Sequence, residues 1–241
     1  MPFDVILLLA ATALGGLLQV SIGIGFSVIV GPLLFLAIGT ESAVPLLLLL
    51  NAVVSVIAVP GTVGAEDRRP VVIAALACVV GIIAGIAVYP LLSEAAVLAI
   101  AGGLLVVGAL TTFLPASHAG KRAFVPVSVL SGLATVWAAT PGPLMALGLI
   151  LADYPAAKVR KLVQPIALIG YSVALLLHGA SGWGYIIAQP HLTGYLIAAV
   201  CGSLAGRMLG PALPRRIIAN GIRGISLIAG VVLLYRALAL I

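Results

Sequence analysis

The sequence predicts an all-α polytopic membrane protein of two inverted repeats, each a broken, re-entrant helical hairpin followed by three transmembrane helices. Three observations lead there. Of the 241 residues, 63% are hydrophobic and 7% charged, and the charges cluster between apolar runs of about 20 residues, enough to cross a hydrocarbon core of about 30 Å. The chain also repeats itself: Leu14-Gly15-Gly16-Leu17-Leu18-Gln19-Val20 returns, about half the chain later, as Leu130-Ser131-Gly132-Leu133-Ala134-Thr135-Val136. Gly81-xxx-Gly85 with Pro90 likewise returns as Gly202-xxx-Gly206 with Pro211. Finally, both copies of the first motif run into a Gly- or Pro-rich break, and apolar segments interrupted at matching places in two halves point to the binding site of a membrane transporter.

Read in order, apolar runs bounded by Gly, Pro and charge give a broken segment over 3–38, then helices over 42–60, 70–90 and 94–114. The pattern returns as a broken segment over 123–152 and helices over 161–179, 190–210 and 221–240. The repeats are thus 1–118 and 119–241, integrated in one transmembrane domain. A spanning barrel would show alternating segments of about 10 residues, which are absent. No polar stretch is long enough for a soluble domain, which excludes catalysis in an appended one. Leu7 to Ala13 could imitate the core of a signal peptide, but Asp4 precedes it with no Lys or Arg. Because an internal copy begins near Phe124, the segment is expected to stay in the mature protein.

The net charge of +6 invites a nucleic-acid reading, yet there is no soluble domain to display a basic patch. Basic residues confined to connections mark the cytoplasmic face instead. If every segment crossed once, Arg68, Arg69, Lys121, Arg122 and Arg236 would lie opposite Lys158, Arg160, Lys161, Arg207, Arg215, Arg216 and Arg223. If the second broken segment enters and leaves on one face, all of these except Arg236 share a side, the arrangement that positive-inside bias prefers. Extended to the first broken segment by the duplication, this inverts the halves and puts both termini outside.

The breaks read Ser21-Ile22-Gly23-Ile24-Gly25-Phe26-Ser27 and Trp137-Ala138-Ala139-Thr140-Pro141-Gly142-Pro143. Gly frees φ and Pro lacks an N–H, so each stretch suits unwound backbone followed by a new helix start. Such backbone is tolerated at membrane depth only where it lines a cavity or is buried in protein. A new helix start directs free N–H groups and partial positive charge into that space, and two facing starts make an anion site without a buried cation. The candidate binding residues are Ser21, Gly23, Gly25, Ser27, Thr140, Pro141 and Gly142 of the breaks, with Asn51 and Gln164, which follow the two hairpins at similar distances. Trp137 either walls the cavity or packs elsewhere, and Tyr171 reads as an interhelix contact. Gly81/Gly85 and Gly202/Gly206 have the spacing of close helix packing, and Arg207 reads as a snorkelling side chain.

Several chemistries have no residues to carry them. Glu41, Glu66, Asp67, Glu94 and Asp153 all fall at segment ends, leaving no mid-membrane carboxylate as a proton relay. His118, His178 and His191 lack metal-ligand spacing, and no catalytic or cofactor motif is present. Neither enzyme activity, nor a metal, nor a cofactor is therefore expected.

The broken first helix (Gly15-Gly16 through Gly23-x-Gly25), the duplicated units, the Thr140-Pro141-Gly142-Pro143 break and the closing stretch from Gly202-xxx-Gly206 to Gly230 resemble the sulfite exporter TauE/SafE family of anion transporters. The resemblance covers essentially the whole chain, with Ala139-Thr140-Pro141 where many members are richer in Gly. It implies a multi-pass carrier of the bacterial inner membrane that moves sulfite, sulfonates or small carboxylates, outward in this reading. The expected partners are that small anion and the lipid bilayer, with no nucleic acid and with a homo-oligomer allowed. Two other readings stand beside it. One is a thiol or electron carrier, which requires Cys78 and Cys201 within disulfide reach, roughly 4.4 to 6.8 Å between Cα atoms. The other is a non-transporting membrane subunit, for which paired broken helices have no evident use.

Overall fold

The computed structural model describes residues 3–23, 25–61, 64–111 and 123–241. These form the helices α1 (Phe3–Ile22), α2 (Phe26–Ala58), α3 (Arg68–Val88), α4 (Glu94–Thr111), α5 (Phe124–Ala138), α6 (Gly142–Leu151), α7 (Ala156–Ile187), α8 (Leu192–Leu209) and α9 (Arg215–Leu238), with no strand among the described residues. Six of these helical segments are long and apolar enough to cross a membrane: they lie in α1, α2, α3, α7, α8 and α9. Large apolar side chains on their outer faces, such as Leu76, Val80, Ile83, Leu176 and Ile197, are exposed, as a lipid-facing surface requires. Two expectations are corrected here: α1, read as one arm of a re-entrant hairpin, is itself long enough to cross, and α4, read as a crossing helix, is shorter among the described residues, Glu94–Leu110.

Both breaks fall where the Gly and Pro pattern places them. The first is built from Gly23 at φ 93° and Gly25 at φ 147°, backbone that side-chain-bearing residues rarely adopt. α2 is interrupted again at Gly39, φ 72° and ψ 165°, which divides it into a short arm over 26–38 and a long arm over 40–58. At the second break Ala139 turns left-handed, φ 49°, and α6 opens with Pro143 in its first turn, where the missing N–H costs no helical bond. α6 has 10 residues and reaches about 15 Å, half of a hydrocarbon core. The rings of Phe124, opening α5, and Tyr154, just past α6, have centroids 6.4 Å apart. α5 and α6 therefore leave from and return to one end of the molecule.

Helix termini differ from the expected ones mainly in α7 and α9, which begin earlier than the apolar runs at 161 and 221, and in the far end of α7, which continues to Ile187 beyond the expected 179. Hydropathy marks the part of a helix that lipid would cover, whereas backbone hydrogen bonding continues through Lys158, Arg160 and Lys161 back to the Pro155 cap. Pro214 starts α9 in the same way.

The arms of each break pack on the other half. α1 lies along α8 and α5 along α3, while α2 packs with α7 and α4 with α9. Glycine allows the first two approaches: a Cβ on Gly81 would collide with the carbonyl oxygen of Val129, and one on Gly132 with that of Cys78. At the matching positions of the duplication, a Cβ on Gly202 would collide with the carbonyl of Ala13 and one on Gly16 with that of Ala199. The small-xxx-small pairs are thus helix contacts. α2 is the most enclosed element, with Phe26, Leu34, Leu46, Leu47, Leu48 and Leu50 fully buried, so its opening break lies inside the protein.

The ends of the bundle differ in charge. At one, Lys158 Nζ lies 2.5 Å from Asp67 Oδ1, which brings the connection carrying Arg68 and Arg69 beside the start of α7. Single crossings throughout would have put these on opposite ends. Lys121 and Arg122 lie outside the described residues. At the other end Tyr185 Oη donates to Glu41 Oε2 at 3.1 Å, and a Cβ on Gly39 would meet Glu94 Oε1 at 3.9 Å.

Candidate functional site

The two breaks meet at one cavity. Gln19, Gly23, Gly25, Ser27 and Val28 line it from the first, Thr140, Gly142 and Pro143 from the second, and Val163, Ala167 and Tyr171 from α7. The three α7 residues are spaced one helical turn apart, which puts them on one face. The enclosed volume is about 20 Å³, room for about one water molecule. In this conformation the space is closed to anything the size of sulfite.

Neutral polar groups hold the breaks in place. Gln164 Nε2 donates to Gly23 O at 2.6 Å, and Gln19 Nε2 donates to Gln164 Oε1 at 3.2 Å. Gln19 Oε1 accepts from the N–H of Phe26 at 3.3 Å, satisfying the first donor of α2. Ser27 Oγ lies 2.8 Å from Ala139 O and 3.1 Å from Asn51 Oδ1. A hydroxyl carries a single proton, so Ser27 donates to one of these at a time and links the two breaks directly. Asn51 Nδ2 donates to Leu47 O at 2.8 Å. At the second break Thr140 Oγ1 donates to Ala138 O at 2.8 Å, while Pro141 O accepts from Ser131 Oγ at 3.3 Å and from the N–H of Met145 at 3.0 Å.

Of the residues singled out in the sequence, Gly23, Gly25, Ser27, Thr140 and Gly142 line the cavity, and Pro141 caps the helix that opens onto it. Asn51 stands behind Ser27. Gln164 is not among the lining residues; it bonds to Gln19 and Gly23, which are, and lines a second, wider hollow. Ser21 turns away, its Oγ 2.6 Å from Leu17 O and 3.1 Å from Gly206 O on α8 and donating to one of them at a time. Trp137 packs rather than walls: its Nε1 donates to Gly85 O at 3.1 Å on α3. Two polar lining residues were not among the binding candidates: Gln19, and Tyr171, which the sequence suggests as an interhelix contact. Gln19 sits in the repeated motif opposite Thr135, a polar side chain at matching places in two apolar helices, and that coincidence was the available signal. Tyr171 had none beyond its helical spacing from Val163 and Ala167.

No Asp, Glu, Lys or Arg lines the cavity. What it offers an anion is dipolar: the first turns of α2 and α6 leave N–H groups without intrahelical partners, at the ends where the helix dipole is positive. Among the described residues no three His, Cys, Asp or Glu side chains form a group that could hold a metal. The cysteines are free, Cys78 buried in α3 and Cys201 exposed on α8. An added Cβ on Gly170 would lie 3.2 Å from Cys78 Sγ, so that thiol is packed against α7.

Comparison with known proteins yields a family match. The family model described as Sulfite exporter TauE/SafE matches residues 8–233, which spans both breaks and both copies of the repeat. No curated protein and no solved structure matches the chain. On the extent of the family match, the chain belongs to the sulfite exporter TauE/SafE family.

Proposed function

We propose that this protein exports a small sulfur-containing or organic anion, such as sulfite or a sulfonate, across the bacterial inner membrane, and that it is not an enzyme. The observation that carries the reading is the convergence of the two interrupted helices: Gly25 and Ser27 of one break and Thr140 and Gly142 of the other share a single cavity. Anion oxygens would accept from the first-turn N–H groups of α2 and α6, with Ser27, Thr140, Gln19 and Gln164 as neutral donors within reach. Charge-assisted hydrogen bonds of this kind are strong where water is excluded, so no buried cation is needed. Ser21, Asn51 and Trp137 act in this reading by fixing neighbouring elements.

The two halves, 1–118 and 119–241, act as inverted units. Supporting this are the glycine contacts that recur at matching positions and the return of α5 and α6 to one end. The basic end is cytoplasmic by the positive-inside rule, and the termini are outside. Alternating access would rock the two hairpins about the cavity, opening the closed space first to one end and then to the other. With no carboxylate lining the central cavity, the membrane potential can drive export, worth about 2.3 kcal/mol per charge for 100 mV.

The test is efflux of sulfite, sulfoacetate and small carboxylates from proteoliposomes under an imposed potential. Potential-dependent movement of one of these anions is the expected result. Failure of the active-folded protein to move or bind any of them would overturn the reading.

A further inference from the structure

Beside the central cavity lies a wider hollow of about 230 Å³ at the basic end, lined by Gln19, Ser21, Gly23, Ala58, Arg160, Lys161 and Gln164 among others. Its α7 wall is a single helical stripe: Ala157, Arg160, Lys161 and Gln164 recur at three- and four-residue intervals, which places them on one face. Arg160 sits directly at the first break, since a Cβ on Gly23 would meet its Cβ at 3.4 Å and its carbonyl oxygen at 3.5 Å. The neighbouring Lys158 is neutralised by Asp67, whereas Arg160 and Lys161 make no ion pair among the described residues. The hollow and the cavity share Gln19 and Gly23, and what separates them is the chain of hydrogen bonds from Gln19 to Gln164 to Gly23 O.

From this we infer that the hollow is a separate anion-capture site, in which Arg160 and Lys161 hold a small oxyanion before it reaches the central cavity, and that the Gln19–Gln164 pair is the partition it must pass. The inference rests on the anion-transport reading above and adds to it a cationic first station. Two cations without an ion-pair partner among the described residues, facing a recess with protein walls, concentrate anions there and speed their capture. Helix-end dipoles alone, screened behind a closed partition, would not. The opposite end provides the contrast: a hollow of about 300 Å³ there is lined by Glu41 and Glu94 with no Lys or Arg. An anion is thus drawn in at the basic end and repelled from re-binding at the other, a polarity that matches export.

The experiment measures initial rates of sulfite uptake into inside-out membrane vesicles, which present the basic end to the medium, as a function of sulfite and of ionic strength. Arg160→Gln/Lys161→Gln should raise KM about tenfold at low salt and flatten its salt dependence, while Arg160→Lys retains most of the wild-type KM and Arg236→Gln, at the far end, retains all of it. Unchanged KM and salt dependence in the double glutamine variant, with normal transport by the wild type, would overturn the capture site and leave the transport reading standing. Absence of uptake by a well-folded wild type would overturn both. Should the double variant be poorly folded, the single Lys161→Gln, at an exposed side chain, carries the test with a smaller expected shift in KM.

Discussion

Gln164 on α7 reaches across to the first break and donates to the carbonyl of Gly23 at 2.6 Å, joining the second half of the chain to an unwound peptide of the first. Gly23 is buried, and a buried carbonyl left without a partner costs about 1–3 kcal/mol. Gln164→Leu, which keeps the volume and removes the donor, should therefore lower thermal stability in detergent by about that amount. Gln164→Glu removes the donor as well but adds charge beside an anion path, so its transport should fall further than that of the leucine variant. Equal stability of wild type and Gln164→Leu would mean that the contact contributes nothing.

The duplicated glycine contacts make a paired prediction. Gly81→Ala and Gly202→Ala each drive a methyl into a carbonyl of a neighbouring helix, Val129 or Ala13, and forcing such helices apart costs about 1–3 kcal/mol or more. Gly103, in α4, has nothing within 4 Å of an added Cβ. Gly103→Ala should be neutral or stabilising by up to about 1 kcal/mol, the usual helical difference between the two residues. Melting temperatures of the three purified variants check this, and a harmless Gly202→Ala would refute the α1–α8 packing.

These contacts also show where the sequence was readable. Breaks and crossing segments were legible because Gly, Pro and apolar runs act locally, and the repeat announced the second copy of each contact from the first. The direction of a side chain at a break was not legible. Trp137 turns to α3 and donates to Gly85 O, a contact with a neighbour distant in sequence. Asn51 and Gln164 occupy similar places after their hairpins, yet one is satisfied within α2 through Leu47 O and the other spans to Gly23. The repeat fixes position along a helix but leaves open which partner the opposite half presents.

Sidedness can be read chemically. Cysteines introduced at Arg69 and at Lys161, both exposed, should react with a membrane-impermeant maleimide from the same side, the cytoplasmic one, in a background lacking Cys78 and Cys201. Labelling from opposite sides would remove the hairpin in the second half, because it would make α5 and α6 together a full crossing despite the length of α6.

The central cavity itself separates a binding effect from a folding effect. A Cβ on Gly142 meets nothing within 4 Å outside its chain neighbours, and Gly142 carries no positive φ, so Gly142→Ala and Gly142→Val should fold, at a modest cost because the Pro143 ring disfavours helical backbone at a side-chain-bearing residue before it. Each occupies space beside the first N–H groups of α6, within a volume that already holds only about one water. Gly25→Ala differs: its φ of 147° strains any side-chain-bearing residue, at about 1–3 kcal/mol, and its Cβ would press on Ile222 and Leu18 at 3.4 Å. The expected outcome is a modestly lowered melting temperature with transport lost in Gly142→Val and weakened in Gly142→Ala, against a lowered melting temperature set by the backbone strain in Gly25→Ala. Efflux assays on variants matched for folded protein decide it. Full transport by a well-folded Gly142→Val would place the anion somewhere other than between the two breaks.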